Sequence, residues 1–180
     1  MTLSEVVPAA QILDFFRSGF EHTAWRLETR REYAADQASE EYREFLQGVT
    51  PPVDDAGPWF TNAREQTADG RRIERVRLVD EPATDNQRYL LATTPSNLAA
   101  GEDIRYLNRS KADAIGLAEA GDFWLFDSRI LARFNWTDAD RRMELTTDPE
   151  HVVRACQIRD AAWHYAVRYE DFIGRVPSPM

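Results

Sequence analysis

Six residues in the second half of the chain constrain the fold more than any others. Asp122 to Asp127 reads Asp-Phe-Trp-Leu-Phe-Asp, four apolar residues with a carboxylate at each end. This length and aromatic content are typical of a buried strand rather than a helix. We therefore expect a central strand here, with Asp127 capping the turn into a second run, 130–136, that pairs with it. Because side chains alternate along a strand, Asp122 and Asp127 should face opposite sides of the sheet.

The segments around this strand alternate between strand and helix patterns. The two-residue alternation of strands is present in 22–29, 71–80 and 104–107. Helical spacing is present in 9–17, 36–47, 58–69 and 85–93. Pro95 should interrupt the fourth helix, and a last helix should begin at Asp148-Pro149. Strands separated by helices favour parallel pairing through crossovers. The sequence predicts an α/β fold with a mixed, mostly parallel sheet flanked by helices, in one domain over 1–180 with an ordered core of about 9–170.

Charge and composition exclude two kinds of partner. The 180 residues carry a formal net charge of -9, which disfavours nucleic acid because affinity for phosphates comes mainly from basic side chains. No apolar run approaches the length that crosses a bilayer, and the start of the chain lacks the features of a secretory leader. Cys156 has no second cysteine with which to form a disulfide. We expect a cytoplasmic protein that binds neither nucleic acid nor membrane.

Arginine supplies nearly all of the positive charge, since Lys111 is the only lysine. Arg75 and Arg77 share one face of their predicted strand, and Arg105 and Arg109 lie on or just after the next. Clustered together with Asp127, they would form a pocket for a carboxylate or phosphate. An ion-pair network explains the same arginines without a ligand, because acidic residues are close by: Glu28, Glu74, Glu102, Asp103 and Asp127. The sequence leaves both alternatives open.

No set of residues has the spacing of a metal site or a catalytic site. His151 and His164 should lie on one helix but on different sides of it, so they cannot share a metal ion. His22 could act as a general base only with a partner that the sequence does not show. No glycine-rich phosphate loop is present either. We predict no catalytic residue, no metal and no cofactor.

Four short segments together resemble an uncharacterised actinobacterial family, whose members are often encoded beside helix-turn-helix regulators. They are Arg26-Leu27-Glu28, Arg75-Val76-Arg77, the stretch from Ala100 to Leu107, and the Asp122 to Asp127 strand. The resemblance extends from about Phe15 to about Tyr169. It implies an accessory or regulatory setting and no particular activity.

The order of elements from the helix before Gly70 to Asp127 is also similar to one half of a phospholipase D-like domain. Those enzymes carry a His-x-Lys-x4-Asp motif, in which the histidine attacks phosphorus and the lysine stabilises the charge on the phosphate. With Asp127 on the aspartate of the motif, Asp122 takes the place of the lysine and Ala120 that of the histidine. Neither can perform its step, so the sequence excludes phosphodiester chemistry by this route.

Three functions remain from the sequence. The first is a non-catalytic interaction or regulatory module that binds a protein partner, such as a helix-turn-helix regulator or a second copy of itself. Exposed tryptophans would anchor that contact: Trp25, Trp59, Trp124, Trp136 and Trp163. The second is a sensor that binds a small anionic ligand or nucleotide at the arginines. The third is an enzyme of unassigned type, which requires a pocket that joins His22 to a carboxylate.

Overall fold

A single eight-stranded sheet runs through the structure, a computed structural model that describes residues 4–54 and 56–174. Its strands lie in the spatial order β1-β7-β6-β5-β2-β3-β4-β8. In chain order they are β1 Ser4–Val7, β2 Thr23–Glu28, β3 Arg72–Val79, β4 Asp103–Asn108, β5 Phe123–Phe126, β6 Ile130–Phe134, β7 Met143–Thr146 and β8 Val167–Arg168. The predicted Asp122 to Asp127 strand is β5, and it is central as expected, between β6 and β2.

Within the described residues, eight helices cover the sheet, with two short 3-10 turns at Ala9–Gln11 and Ala118–Ala120. They are α1 Ile12–Ser18, α2 Ala34–Gln37, α3 Glu40–Leu46, α4 Pro58–Ala68, α5 Asp85–Ala99, α6 Arg109–Ala114, α7 Pro149–Tyr165 and α8 Tyr169–Ile173. Within the described part of the chain, no helix combines the length and apolar character needed to cross a bilayer.

The sheet is mixed but not mostly parallel, so that part of the prediction was wrong. Only β2–β3 and β3–β4 pair in parallel, through the crossover helices α4 and α5. The other five pairs in the described residues are antiparallel. For β5–β6 and β6–β7 the physical reason is the short connections: a turn of three residues leads to β6, and a short loop leads to β7. Such connections can join only antiparallel neighbours.

Side chains alternate along the strands and give the sheet two different faces. The face under α7, which we call the α7 face, is apolar: Trp25, Leu27, Val76, Leu125 and Ile158 belong to one core cluster. The opposite face lies under α1, α4 and α5, and we call it the α5 face. It holds a second core cluster, which includes Phe16, Trp124 and Phe126, and beside it a set of buried charged side chains.

Three local predictions need correction. Residues 36–47 form parts of two helices rather than one, because Ser39 accepts a hydrogen bond from the Tyr42 amide and begins a new helix. Helix α5 continues through Pro95. One turn earlier in this helix, the Leu90 carbonyl accepts hydrogen bonds from Thr94 Oγ1 and from Arg77 Nη1. Strands β1 and β8 were not predicted. The fraying expected at 176–179 lies outside the described residues.

Candidate functional site

A cavity of about 530 Å³ opens on the α5 face of the sheet. Its floor is formed by β2, β3 and β5, and its walls by α1, α4, α5 and the segment after β6. Charged and aromatic side chains share the lining, among them Arg26, Arg75, Trp124, Phe134 and Trp136. A cavity of this size is in the range that holds small molecules.

The parallel register of β2 and β3 brings the charged groups together. Arg26 lies opposite Arg75, and Glu28 lies opposite Arg77. Glu28 Oε1 accepts a hydrogen bond from Arg75 Nη1 at 2.9 Å, and Glu28 Oε2 accepts one from Arg77 Nε at 2.8 Å. Arg75 Nε donates to Glu102 Oε2 at 2.7 Å. One carboxylate thus joins two neighbouring strands, and a second ties β3 to the residue before β4.

The electrostatics of this network are governed by Glu28. Burial favours the neutral form of its carboxyl, but Arg77, Arg26 and Arg75 together outweigh that effect and hold the pKa of Glu28 well below its usual range. Burial also opposes the charge of Arg77, yet Glu28 raises the pKa of this guanidinium. Both groups are therefore ionised at neutral pH, and each stabilises the other in a region with little water.

Arginine side chains and aromatic rings are in contact with one another at and beside the cavity. The Arg75 guanidinium lies 5.0 Å from the Trp59 ring and 5.2 Å from the Trp124 ring. The Arg26 guanidinium lies 5.6 Å from the Trp124 ring and 4.9 Å from the Phe134 ring. Beyond them, Phe134 stacks on Trp136 at 4.6 Å and Arg30 lies over Trp136 at 5.0 Å. Cation–π contacts of this kind strengthen when they are desolvated. We call this set the arginine–aromatic stack.

Asp122 closes the network from β5, and its side chain is fully buried. It accepts hydrogen bonds from the Thr29 amide and hydroxyl at 2.7 and 2.9 Å and from the Tyr33 hydroxyl at 2.7 Å. Burial and the nearby charges of Glu28 and Asp122 raise the pKa of Tyr33 far above its usual range, so the hydroxyl remains a donor. These bonds fix the segment after β2 against the cavity.

Two arginine donors at the cavity are not satisfied by the protein. The Nε atoms of Arg26 and Arg142 are buried and have no hydrogen-bond partner among the described residues. Arg26 has only long contacts, 3.5 Å to Glu28 and 3.5 Å to Asp122. Arg142 lies over the Trp136 ring at 5.8 Å and forms no ion pair within 4–54 or 56–174. Both guanidinium groups line the cavity, so their N–H donors are the candidates for binding an anionic group of a ligand.

Asp36 is the acidic group that faces the cavity from the segment after β2. Its carboxylate accepts a hydrogen bond from Asn86 Nδ2 at 2.8 Å. Burial nevertheless raises the pKa of Asp36, because the loss of water outweighs that bond and the nearby arginines. Its negative charge is therefore opposed by its surroundings, unlike that of Glu28.

The structure places the predicted ligand-binding residues in four different positions. Arg75 and Arg77 lie in the network of the α5 face. Arg105 lies on the α7 face, where its guanidinium is 3.7 Å from the Trp163 ring and pairs with Asp103. The predicted cluster of four arginines is therefore not formed. Ion pairs account for the arginines that were expected to bind a ligand, as the alternative interpretation proposed.

Arg109 and Asp127 lie at opposite ends of the sheet. Arg109, after β4, donates to Asp80 and to the Thr29 carbonyl. Asp127 accepts the backbone amides of Glu21, His22 and Thr23, each at 2.8 Å. Burial opposes the charge of Asp127, but these three donors outweigh it and lower its pKa. Asp127 therefore caps the backbone at the start of β2 and not the turn before Ile130 that the sequence had predicted.

Sequence reasoning missed Arg26, Arg142 and the aromatic partners. The signal for Arg26 was present, because Arg26-x-Glu28 and Arg75-x-Arg77 have the same two-residue spacing on neighbouring parallel strands. No comparable signal marks Arg142, which reaches the cavity only because the hairpin of β6 and β7 folds beside β5.

A separate polar cleft of about 620 Å³ joins His22 to carboxylates, as the enzyme hypothesis required. Glu74, Asp127 and His164 also line it. Burial raises the pKa of Glu74, whereas Asp127 is committed to three backbone amides. No three metal-ligating side chains converge anywhere in the described residues. The cleft leaves the enzyme hypothesis as a prediction without a second catalytic group in place.

The fold of this chain can be compared with that of solved structures. It is similar to a phospholipase D family member, Nuc from Salmonella typhimurium, with a TM-score of 0.51 at 10% identity over 94% of this chain and 97% of that one. It is also similar to NucT from Helicobacter pylori, with a TM-score of 0.47 at 12% identity over 93% and 98%. The architecture is thus phospholipase D-like, as expected from the order of elements.

The chain belongs to the family described as Domain of unknown function (DUF6879), whose model matches residues 10–174. A search of curated proteins finds none that matches it.

Proposed function

We propose that this protein is a non-catalytic binding module whose cavity on the α5 face takes a small planar ligand with one anionic group. The observation that carries the proposal is that Arg26 and Arg142 both line the cavity beside the rings of Phe134 and Trp136, and that each has a buried Nε donor without a hydrogen-bond partner among the described residues. A carboxylate or phosphate is the group that satisfies guanidinium donors best. A nucleotide is one member of this ligand class.

Planarity follows from the arginine–aromatic stack. The rings of Trp59, Trp124, Phe134 and Trp136 line the cavity, so a flat ring of a ligand can pack against them at modest cost in ordering. A ligand with a flat ring and an anionic group can pack against the aromatic rings and also bind the two arginine donors. An anion alone satisfies only the donors, and binds more weakly.

Most of the arginines hold the cavity rather than the ligand. Arg26, Arg75 and Arg77 are balanced by Glu28, Glu102 and Asp122. A ligand that displaced one of these carboxylates would leave a buried charge without a partner, which is strongly unfavourable. The anionic group therefore adds to Arg26 and Arg142 and leaves the pairs of Arg75 and Arg77 intact.

A non-catalytic role is supported by the two positions that correspond to the phospholipase D-like motif. Ala120 has no nucleophile, and Asp122 is a buried carboxylate that already accepts three hydrogen bonds. Neither group can attack or stabilise a phosphoester. The proposal therefore treats the shared architecture as a platform for binding.

Tryptophan fluorescence tests the proposal, because three of the five tryptophans line the cavity or its stack. Adenosine 5′-monophosphate and benzoate are the anionic probes, with adenosine, benzamide and inorganic phosphate as controls that lack the charge or the ring. We expect both anionic probes to quench the emission and to bind about tenfold more tightly than their neutral analogues. A phosphorus NMR spectrum of the same mixture should show no hydrolysis.

Matched variants locate the site. Arg26→Met and Arg142→Met each remove one donor, and each should weaken the anionic probes about tenfold while the neutral analogues change little. Arg105→Met is the control, since Arg105 stacks on Trp163 across the sheet. The proposal is wrong if neither anionic probe binds, if Arg105→Met weakens binding as much as Arg26→Met, or if a probe is hydrolysed.

Partners and location remain predictions. Two of the five tryptophans are buried and three are partly buried, so none offers the fully exposed anchor that we expected for a protein contact. We still propose that the module works beside a transcriptional regulator in the cytoplasm of an actinobacterium, with ligand occupancy altering that contact. A homodimer stays a prediction that light scattering can check.

A further inference from the structure

A second cavity, of about 650 Å³, lies at the carboxyl ends of the parallel strands β3 and β4. In open α/β sheets this end of the parallel strands is where ligands commonly bind. The two cavities share no lining residue in the described part of the chain. The inference drawn from the second cavity is therefore independent of the proposed function.

The lining of the second cavity is mainly apolar. Its lining includes Leu91 of α5, Phe172 of α8, and Tyr106 and Leu107 of β4. The rings of Tyr106 and Phe172 stack with centroids 4.9 Å apart. The Tyr106 hydroxyl is already bonded to Thr94, so the ring presents only its apolar part. This surface favours a hydrocarbon chain or ring.

One cation lies at the wall of this cavity without an acidic partner. Lys111 Nζ is 4.3 Å from the centroid of the Tyr165 ring, and both residues line the cavity. Lys111 forms no ion pair with any residue of 4–54 or 56–174. A cation held against an aromatic ring beside an apolar cavity retains the capacity to bind an anion.

The other charged groups at the cavity are accounted for, with one exception. Asp80 accepts hydrogen bonds from Arg31, Gln87 and Arg109. Arg88 is paired with Asp85. Glu81 lies on the exposed turn that leads to α5 and has no ion pair within the described residues. Lys111 and Glu81 are therefore the two charged groups of the lining without an ion pair in the described residues. Lys111 favours an anionic ligand, and Glu81 favours a cationic one.

We infer that the second cavity binds an apolar monocarboxylate, such as a medium-chain fatty acid, with its carboxylate on Lys111 and its chain along the apolar lining that includes Phe172. Lys111 is favoured over Glu81 because its ammonium group lies against the ring of Tyr165, another residue of the lining, whereas no such contact of Glu81 exists within the described residues.

Calorimetry with three eight-carbon probes tests this inference on the full chain. Octanoate, octanol and octylamine have the same chain and carry a negative charge, no charge and a positive charge. We expect octanoate to bind at least threefold more tightly than octanol, and octylamine to bind more weakly than both. If octylamine binds as tightly as octanoate, or if no probe binds, the inference is overturned.

Three exposed-site variants give the matched comparison. Lys111→Met keeps the length of the side chain and should weaken octanoate about fivefold, to the level of octanol. Lys111→Arg should retain most of the affinity, and Glu81→Gln should leave octanoate unchanged or slightly tighter. Equal octanoate affinity in Lys111→Met and the parent protein contradicts the inference. Amide NMR shifts at Tyr165 and Phe172, and none at Phe134 or Trp136, distinguish this cavity from the first.

Discussion

The two faces of the sheet are built from the same strands and stabilised in different ways. On β2, Trp25 and Leu27 belong to the apolar core beneath α7, while Arg26 and Glu28 belong to the charged network beneath α5. On β3, Val76 faces α7 and Arg75 faces the cavity. An apolar face gains stability from every buried methyl group, whereas a charged face gains it only if each charge has its partner.

This difference supports the proposal that the binding site lies on the charged face. The charged network fixes arginine side chains that would otherwise be mobile, and it leaves two of their donors without acceptors. Apolar packing on the α7 face could supply stability without that arrangement. Buried ion pairs are a weak source of net stability, so their presence on one face only is best explained by the cavity they support.

The largest expected effect on stability comes from replacing a glutamate on each of the two faces. Glu28→Gln leaves Arg77 buried without a carboxylate partner and takes one of two such partners from Arg26. It should reduce the free energy of unfolding by about 3–5 kcal/mol. Glu74→Gln, on the α7 side, should change it by less than about 1 kcal/mol or raise it, because burial already disfavours the charge of Glu74. Urea unfolding at pH 7 measures both. Equal losses in the two variants would show that the faces do not differ in this way.

The acid dependence of stability sharpens the same comparison. The pKa of Glu28 is lower in the folded state than its ordinary value of 4.5, so its contribution is present above pH about 4.5 and is lost as the pH falls further. The pKa of Glu74 is raised in the folded state, so its ionisation costs stability above pH 4.5 and protonation relieves that cost. Urea midpoints from pH 7 to 3 should fall steeply below 4.5 in the parent protein.

The Glu74→Gln variant is the control for this pH series. This variant should still lose stability as the pH falls below 4.5. It should no longer gain the stability that protonation of Glu74 provides above that pH. A parent protein whose urea midpoint stays constant from pH 5 to 3 would contradict the assignment of a low pKa to Glu28.

A smaller effect is expected at the segment after β2. Tyr33→Phe removes one hydrogen bond from the buried carboxylate of Asp122 and should cost about 1.5–3 kcal/mol, since the acceptor is charged. Tyr165→Phe is the matched change on the other side of the molecule and should be neutral, because no hydrogen bond of that hydroxyl exists within the described residues. Thermal or urea unfolding distinguishes the two. A neutral Tyr33→Phe would mean that Asp122 is held by Thr29 alone.

The smallest effect is expected on the α7 side, at a single cation–π contact. Arg105→Met removes the guanidinium that lies over Trp163 and should reduce the free energy of unfolding by about 0.5–1 kcal/mol. Its ion pair with Asp103 is partly exposed and adds little. A loss above about 2 kcal/mol, measured by urea unfolding, would place Arg105 in a network comparable to that of Glu28.

Much of the fold could be predicted from local patterns, and the pairing of its strands could not. The apolar run of β5 and the alternation of β2 and β3 identify strands because each reflects burial of one or both faces. The direction of pairing depends on the length of the connections, and the short links after β5 outweighed the helical crossovers earlier in the chain. Strands β1 and β8 are short edge strands whose sequence carries no such pattern.

The candidate site was predictable only where its residues share a strand pair. Arg75 and Arg77 were identified because both lie on one face of β3. Arg105 was assigned to the same cluster, but in the observed register it lies opposite Val76 and therefore faces α7. A shift of one residue along a strand reverses the face. The stack partners Phe134 and Trp136 come from distant sequence and meet Arg26 only in the folded sheet.

The most direct test of the account is an amide NMR titration of the isotopically labelled protein with adenosine 5′-monophosphate. The account predicts saturable shifts at Arg26, Phe134, Trp136 and Arg142, with Trp25 and Val76 on the α7 face unchanged. Shifts confined to the α7 face, or no saturable shift at millimolar ligand, would contradict the claim that the charged face is the binding face.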